Sequence, residues 1–175
     1  MVAAPDLLAR IPFLLHFTDE RNLPKIRDCG GLFATATLRQ AEIEFFPGGD
    51  AASLALDTNT GMDAYVHLCF RGRHAMAHRV RERNPGVTLK YLRIDRSILF
   101  EPDVLFAPGV GYAQGVQPVP VLEAVDQGMI DFQVLYTFMD WSVPEIWARR
   151  QAAELCEILV PEQVALDKIQ NMPNG

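Results

Sequence analysis

The stretch from Ile11 to Leu32, IPFLLHFTDERNLPKIRDCGGL, constrains the fold more than any other part of the chain. Ile11 to Phe17 is an apolar run, and as a strand it puts His16 and Thr18, two residues apart, on one face. Thr18 or Asp19 can then cap a short helix with Leu23 and Ile26 as its buried stripe and Gly30 as its left-handed stop. A polar pair at the end of a buried strand, beside a helix N-terminus, offers hydrogen bonds to a ribose or a phosphate. It can equally do no more than cap the helix.

Downstream, short runs rich in β-branched and aromatic residues predict strands over Tyr65 to Phe70, Thr88 to Asp95, Val104 to Phe106, Phe132 to Thr137 and Cys156 to Val160, besides Phe13 to Thr18. Helices are expected over Leu23 to Cys29, Arg73 to Arg83 and Pro144 to Leu155, the last opening with proline in its first turn. Pro47-Gly48-Gly49-Asp50 reads as a turn. Ala107 to Pro120, dense in glycine and proline, reads as a loop able to contact a substrate. Short strands with few long crossover helices predict an α+β fold, and 175 residues suit a single domain, 1–175.

No apolar stretch approaches the roughly eighteen residues that span a bilayer, and the N-terminus lacks the basic segment of a signal peptide, so the expected location is the cytoplasm. Cys29, Cys69 and Cys156 are odd in number and lack metal-ligand spacing, which predicts reduced thiols and no metal. A net charge of −6 argues against broad duplex binding. Against that average, RGRHAMAHRVRER gathers Arg71, Arg73, Arg79, Arg81 and Arg83, five of the sixteen basic residues. It is either the solvated face of a helix or a basic strip for a single strand or a pyrophosphate. His67, His74 and His78 lack a carboxylate-rich partner motif, and a surface histidine pair on the basic helix is the expected explanation. Neither a dinucleotide-binding glycine fingerprint nor a phosphate loop follows a strand, Gly109-Val-Gly111 being too short, and no Gly-x-Ser-x-Gly elbow is present.

HFTDERNLPKIRDCGGL resembles the opening of the DarT-type ADP-ribosyltransferases, toxins that attach ADP-ribose from NAD to bases in single-stranded DNA. DAYVHLCF followed by RHAM resembles the second block of that family, and RRQAAELCEILVPEQVALDKI the third. The three stand in family order from about Leu14 to Ile169. The resemblance implies two small packed sheets with flanking helices and a NAD cleft between them. It also implies NAD as donor, single-stranded DNA as acceptor and a macrodomain-type antitoxin as partner. Acceptance of RNA, and a catalytically impaired NAD- or nucleic-acid-binding homologue, remain open alternatives.

The chemistry explains the residue types. Breaking the nicotinamide-ribose bond builds positive charge on the anomeric carbon, which a fixed carboxylate stabilises. By resemblance that carboxylate is Glu157, facing the cleft with Leu159 while Cys156, Ile158 and Val160 face the core. Glu154 is the rival, expected to be solvent-facing at a helix end. His16 resembles the histidine that binds the adenosine ribose, Thr18 a neighbouring NAD contact, and Asn22 the asparagine near nicotinamide, where capping is an equal role. Tyr65 matches the aromatic on which nicotinamide stacks, and Met76 a methionine bordering the same pocket, although a lone Met is otherwise a core filler. Ala75 stands where the family has Pro. The family also uses an Arg between the first two blocks; here Arg39 or an Arg of the basic strip is the substitute.

Overall fold

A computed structural model describes residues 3–47, 51–109 and 117–172. Helix α1 (Ala4–Arg10) leads into β1 (Leu14–Asp19), and a 3-10 turn, Glu20–Asn22, passes the chain to α2 (Leu23–Asp28). Asp19 is the cap here: its carboxylate accepts from the Arg21 amide at 2.9 Å, and the Arg21 guanidinium closes on the same group. Gly30, at φ 80°, ends the unit in the left-handed region as expected. Then follow β2 (Gly31–Phe33), α3 (Thr35–Gln40), α4 (Ala51–Thr60), β3 (Tyr65–Cys69), α5 (Ala75–Arg83) and β4 (Leu89–Ile94). The remainder is β5 (Leu105–Ala107), β6 (Val119–Pro120), α6 (Val121–Asp126), α7 (Phe132–Tyr136), α8 (Pro144–Glu154), β7 (Glu157–Pro161) and β8 (Gln163–Ala165).

The α+β class is as expected. The two expected sheets are an antiparallel sheet of six strands, in the order β4-β1-β3-β7-β5-β6, and a two-stranded sheet of β2 and β8. Alternation along the strands sends Leu14, Val66, Leu68, Leu92, Ile94, Phe106, Ile158 and Val160 into one core, closed by Leu7 of α1, Val121 and Val125 of α6, and Ala153 of α8.

Phe132 to Thr137 is not a strand. Its β-like composition yields to tertiary context: Asp131 caps Val134, burying Val134 and Leu135 in the core, while Arg150 and Arg71 donate to the carbonyls of Val134 and Leu135 at 2.6 and 2.9 Å. Those are carbonyls that the last turn of a helix leaves without partners. Residues 48–50 of the expected turn and 110–116 of the expected loop, including part of Gly109-Val-Gly111, lie outside the described residues. Among the described residues no helix is long and apolar enough to cross a membrane.

Candidate active site

The site begins as a fault in the large sheet. β1 pairs with β4 at six successive positions and β3 with β7 at five, but β1 meets β3 only at Leu15↔Cys69. Beyond that bridge the two strands part, which leaves the His67 carbonyl facing a gap. A buried carbonyl must find a donor, and His16 supplies it: its Nδ1–H donates to the His67 carbonyl at 3.0 Å. Burial pushes the His16 pKa down to about 4. Its ring is therefore neutral at physiological pH with the proton on Nδ1, which makes Nε2 an acceptor for a ligand hydroxyl.

The gap opens into a cavity of about 210 Å³. Pockets that enclose a whole drug-sized ligand measure about 300–1,000 Å³, so this cavity has room for only part of a ligand as long as the expected dinucleotide. His16, Thr18 and Asn22 line it from β1 and the turn, Lys25 and Cys29 from α2, and Asp57 from α4. His67 and Cys69 of β3, Met76 and Glu157 complete it. Five of the expected residues, Glu157, His16, Thr18, Asn22 and Met76, are thus brought to one cavity, and Tyr65 and Arg39 lie outside its lining.

Asn22 caps no helix. Its amide donates to Thr18 Oγ1 at 3.1 Å and to the Phe46 carbonyl at 2.8 Å, while its oxygen accepts from the Phe46 amide at 2.8 Å. It therefore clamps the cavity wall that carries Phe45 and Phe46, and the Arg21 guanidinium stacks 3.8 Å from the Phe46 ring centroid. Asn22→Ala is expected to cost about 1–3 kcal/mol, the usual loss when buried polar partners are orphaned, and to weaken dinucleotide binding along with it. A thermal melt and a binding titration on the same variant check both effects.

Glu157 is 5% exposed at the first position of β7, in register with Cys69 and diagonal to His67. Leu159, expected beside it on the cleft face, is instead fully buried and absent from the cavity lining. His67 Nδ1 lies 3.0 Å from Glu157 Oε2, and His67 Nε2 lies 3.0 Å from the Met62 carbonyl. The Met62 carbonyl can only accept, and so can a Glu157 carboxylate, so with Glu157 ionised both ring nitrogens donate and His67 is an imidazolium. Burial alone would lower its pKa, but the Glu157 carboxylate and the Met62 carbonyl raise it to about 9. His74 is 1% exposed. Its Nδ1 accepts from the Met76 amide, its Nε2 stands 3.5 Å from Glu157 Oε1, short of a hydrogen bond, and burial lowers its pKa. The expected surface histidine pair is thus corrected: only His78 is at the surface, beside Glu82 at 3.3 Å, whereas His67 and His74 flank the carboxylate.

A second carboxylate faces the same space. Asp57 Oδ1 is buried with no hydrogen-bond partner, and burial raises the Asp57 pKa against the pull of His67. Glu154, expected in solvent, is instead ion-paired to Arg150, because a buried guanidinium needs a counter-charge. Arg39 donates to Thr58 Oγ1 at 2.7 Å and to Asp63 Oδ2 at 3.2 Å.

The basic segment divides. Arg71 is spent on α7, and Arg81 lies over the Tyr91 ring at 5.5 Å from its centroid. Arg73, Arg79 and Arg83 are exposed, the last two being three and seven residues beyond Met76 and so on the helix stripe that continues from the cavity. Sequence reasoning missed His67, His74 and Asp57. For His67 a signal existed, since it follows Tyr65 by two residues on a predicted strand and so shares its face.

A family model described as "ssDNA thymidine ADP-ribosyltransferase, DarT" matches residues 15–173. No curated protein matches the chain. Among solved structures, the chain is similar to Thermosipho africanus DarTG in complex with ADP-ribose, with TM-score 0.68 and 17% identity over 90% of this chain. It spans 42% of the length of that protein. Thermus sp. 2.9 DarT is similar both in complex with ADP-ribosylated ssDNA (TM-score 0.65, 15% identity) and in complex with NAD+ (TM-score 0.63, 15% identity). Each of those alignments covers 91% of this chain and 79% of the other. At such identities the likeness establishes the fold.

Proposed function

The chain belongs to the DarT family, and from that premise we propose that it is an NAD-dependent ADP-ribosyltransferase acting on thymine in single-stranded DNA. The observation that carries the reading is the buried Glu157, paired with His67 at 3.0 Å, at the wall of a cavity that can take part of a dinucleotide. The family description supports DNA over RNA as acceptor.

In the reaction, the bond between the ribose anomeric carbon and the nicotinamide nitrogen breaks, and its electron pair leaves with nicotinamide, which becomes neutral. The Glu157 carboxylate stabilises the positive charge left on the sugar and holds the ribose 2′-hydroxyl. The ring N–H nitrogen of thymine then bonds to the anomeric carbon and its proton leaves to a carboxylate or to water. His16 Nε2 accepts from the adenosine ribose, Thr18 and Asn22 border the bound NAD, and Tyr65 and Met76 bracket nicotinamide. Arg39 reaches NAD only by leaving Thr58 and Asp63. Arg79 and Arg83, with Arg73 nearest the cavity, guide the acceptor strand. Residues 1–175 act as one transferase domain of a cytoplasmic toxin restrained by a macrodomain-type antitoxin.

Labelled NAD offered with thymidine-containing single strands, thymidine-free strands and RNA tests this reading. Label is expected on the first alone, and equal labelling of RNA, or none on DNA, would refute it. Arg79→Gln with Arg83→Gln is expected to raise the Michaelis constant for the oligonucleotide severalfold and to reduce its logarithmic salt slope by about one per lost phosphate contact, leaving that for NAD unchanged. Arg81→Gln should do neither.

A further inference from the structure

His67 stands in the cavity wall with both ring nitrogens committed to protein acceptors. His67 Nδ1–H donates to Glu157 Oε2 and Nε2–H to the Met62 carbonyl, each at 3.0 Å. With both nitrogens engaged, the hydrogen bond through which His67 bears on the chemistry is the one to Glu157. A carboxylate as buried as Glu157 takes up a proton unless something opposes it, and a neutral carboxyl offers little to a positive anomeric carbon. Two donors at opposite ends of one rigid ring also fix the Glu157 side chain against rotation. Its Oε2 edge is thereby held on the β3 side.

We infer that His67 is a positioning residue for the transfer reaction: its imidazolium keeps Glu157 ionised and turned so that one carboxylate oxygen meets the ribose. The inference rests on the proposed role of Glu157. The charged and titratable groups around His67 come from every neighbouring element: Glu157 on β7, Asp57 on α4, His16 on β1 and His74 ahead of α5. The two carboxylates favour the imidazolium, and the two neutral histidines add no competing charge at physiological pH. Its pKa near 9 agrees with the geometry.

The test uses the full chain with His67→Gln and His67→Lys, and 15N spectra of the imidazole rings. In the wild type both His67 nitrogens should be protonated at pH 7.5 and titrate near pH 9, and Glu157→Gln should bring that titration down by at least one pH unit. His67→Gln should lower kcat at least tenfold with the Michaelis constant for NAD changed less than threefold. His67→Lys, which restores a cation, should recover most of that loss, an outcome a merely structural role does not give. A kcat within twofold of wild type in His67→Gln overturns the inference, as does a neutral His67 ring at pH 7.5, or equal loss in both variants with NAD binding intact. If the wild type transfers nothing, the proposed function fails, and the spectra still judge the pair by whether the ring is doubly protonated and responds to Glu157→Gln.

Discussion

Glu157→Gln is expected to lower ADP-ribosyl transfer by about 10² or more while leaving NAD binding within a few-fold. The amide oxygen of glutamine can still accept from His67 Nδ1, so the cavity wall keeps its shape. What disappears is the negative charge, and only the transition state, with its positive anomeric carbon, depends on that. Single-turnover transfer and a separate NAD titration distinguish the two effects, and an unchanged rate would move the chemistry elsewhere, with Asp57 the first group to examine. The same variant has a stability signature. His67 holds its proton up to about pH 9 when folded and to about pH 6.5 when unfolded, so the pair stabilises the fold fully below pH 6.5, and this is lost as pH rises through about 9. The difference in melting temperature between wild type and variant should narrow across that window. Glu154→Gln is the contrast: it frees a buried arginine of its partner and should cost stability rather than chemistry.

Gly31→Ala is expected to destabilise the protein by at least about 3 kcal/mol, or roughly 6–12 °C in melting temperature for a chain of this size. Gly31 sits at φ 153°, and a Cβ there would stand 2.3 Å from the Val164 carbonyl oxygen, 3.1 Å from Ala165 Cα and 3.2 Å from Leu166 N. All three are backbone atoms, unable to swing aside as a side chain would, so β2 must move off β8. Because Gly31 also lines the cavity, dinucleotide binding should fall with stability. Gly30→Ala is the control: its φ is 80°, but a Cβ there meets nothing within 4 Å, so only the backbone penalty of about 1 kcal/mol applies. Equal melting of the two variants would show that the close approach of β2 to β8 is not required.

The local signals that proved reliable are those with a mechanism confined to a few residues. The apolar run before Thr18, glycine at the left-handed position 30, and proline opening the helix at 144 marked their elements to within a residue or two. Composition without such a mechanism misled. Phe132 to Thr137 has a strand's residues, but whether Val134 and Leu135 bury as strand or helix is decided by Asp131 and by two arginines, one of them 64 residues from its carbonyl. The helices over Thr35–Gln40, Ala51–Thr60 and Val121–Asp126 carry no strong start signal and were not foreseen. In the site, Glu157 and His16 were legible because their segments resemble a family. His67 was not assigned to them because its meaning depends on the Cys69↔Glu157 register, a pairing across 88 positions that no local pattern encodes. Arg71 and Arg81 looked like parts of a strip because sequence shows charge but hides whether a guanidinium is already engaged with a carbonyl or a ring.

The single Leu15↔Cys69 bridge gives the large sheet a direction of easy deformation. Flexing β4 and β1 as one leaf against β3, β7, β5 and β6 as the other is resisted within the sheet by that bridge, and at its rim by the Ile94↔Ile169 bridge that ties β4 to the C-terminal segment. The His67 carbonyl on the hinge line is bonded to a side chain rather than to a strand, so opening there breaks one ring hydrogen bond rather than a run of backbone pairs. The ease of opening at this seam is therefore a local property, separate from the global stability of the fold.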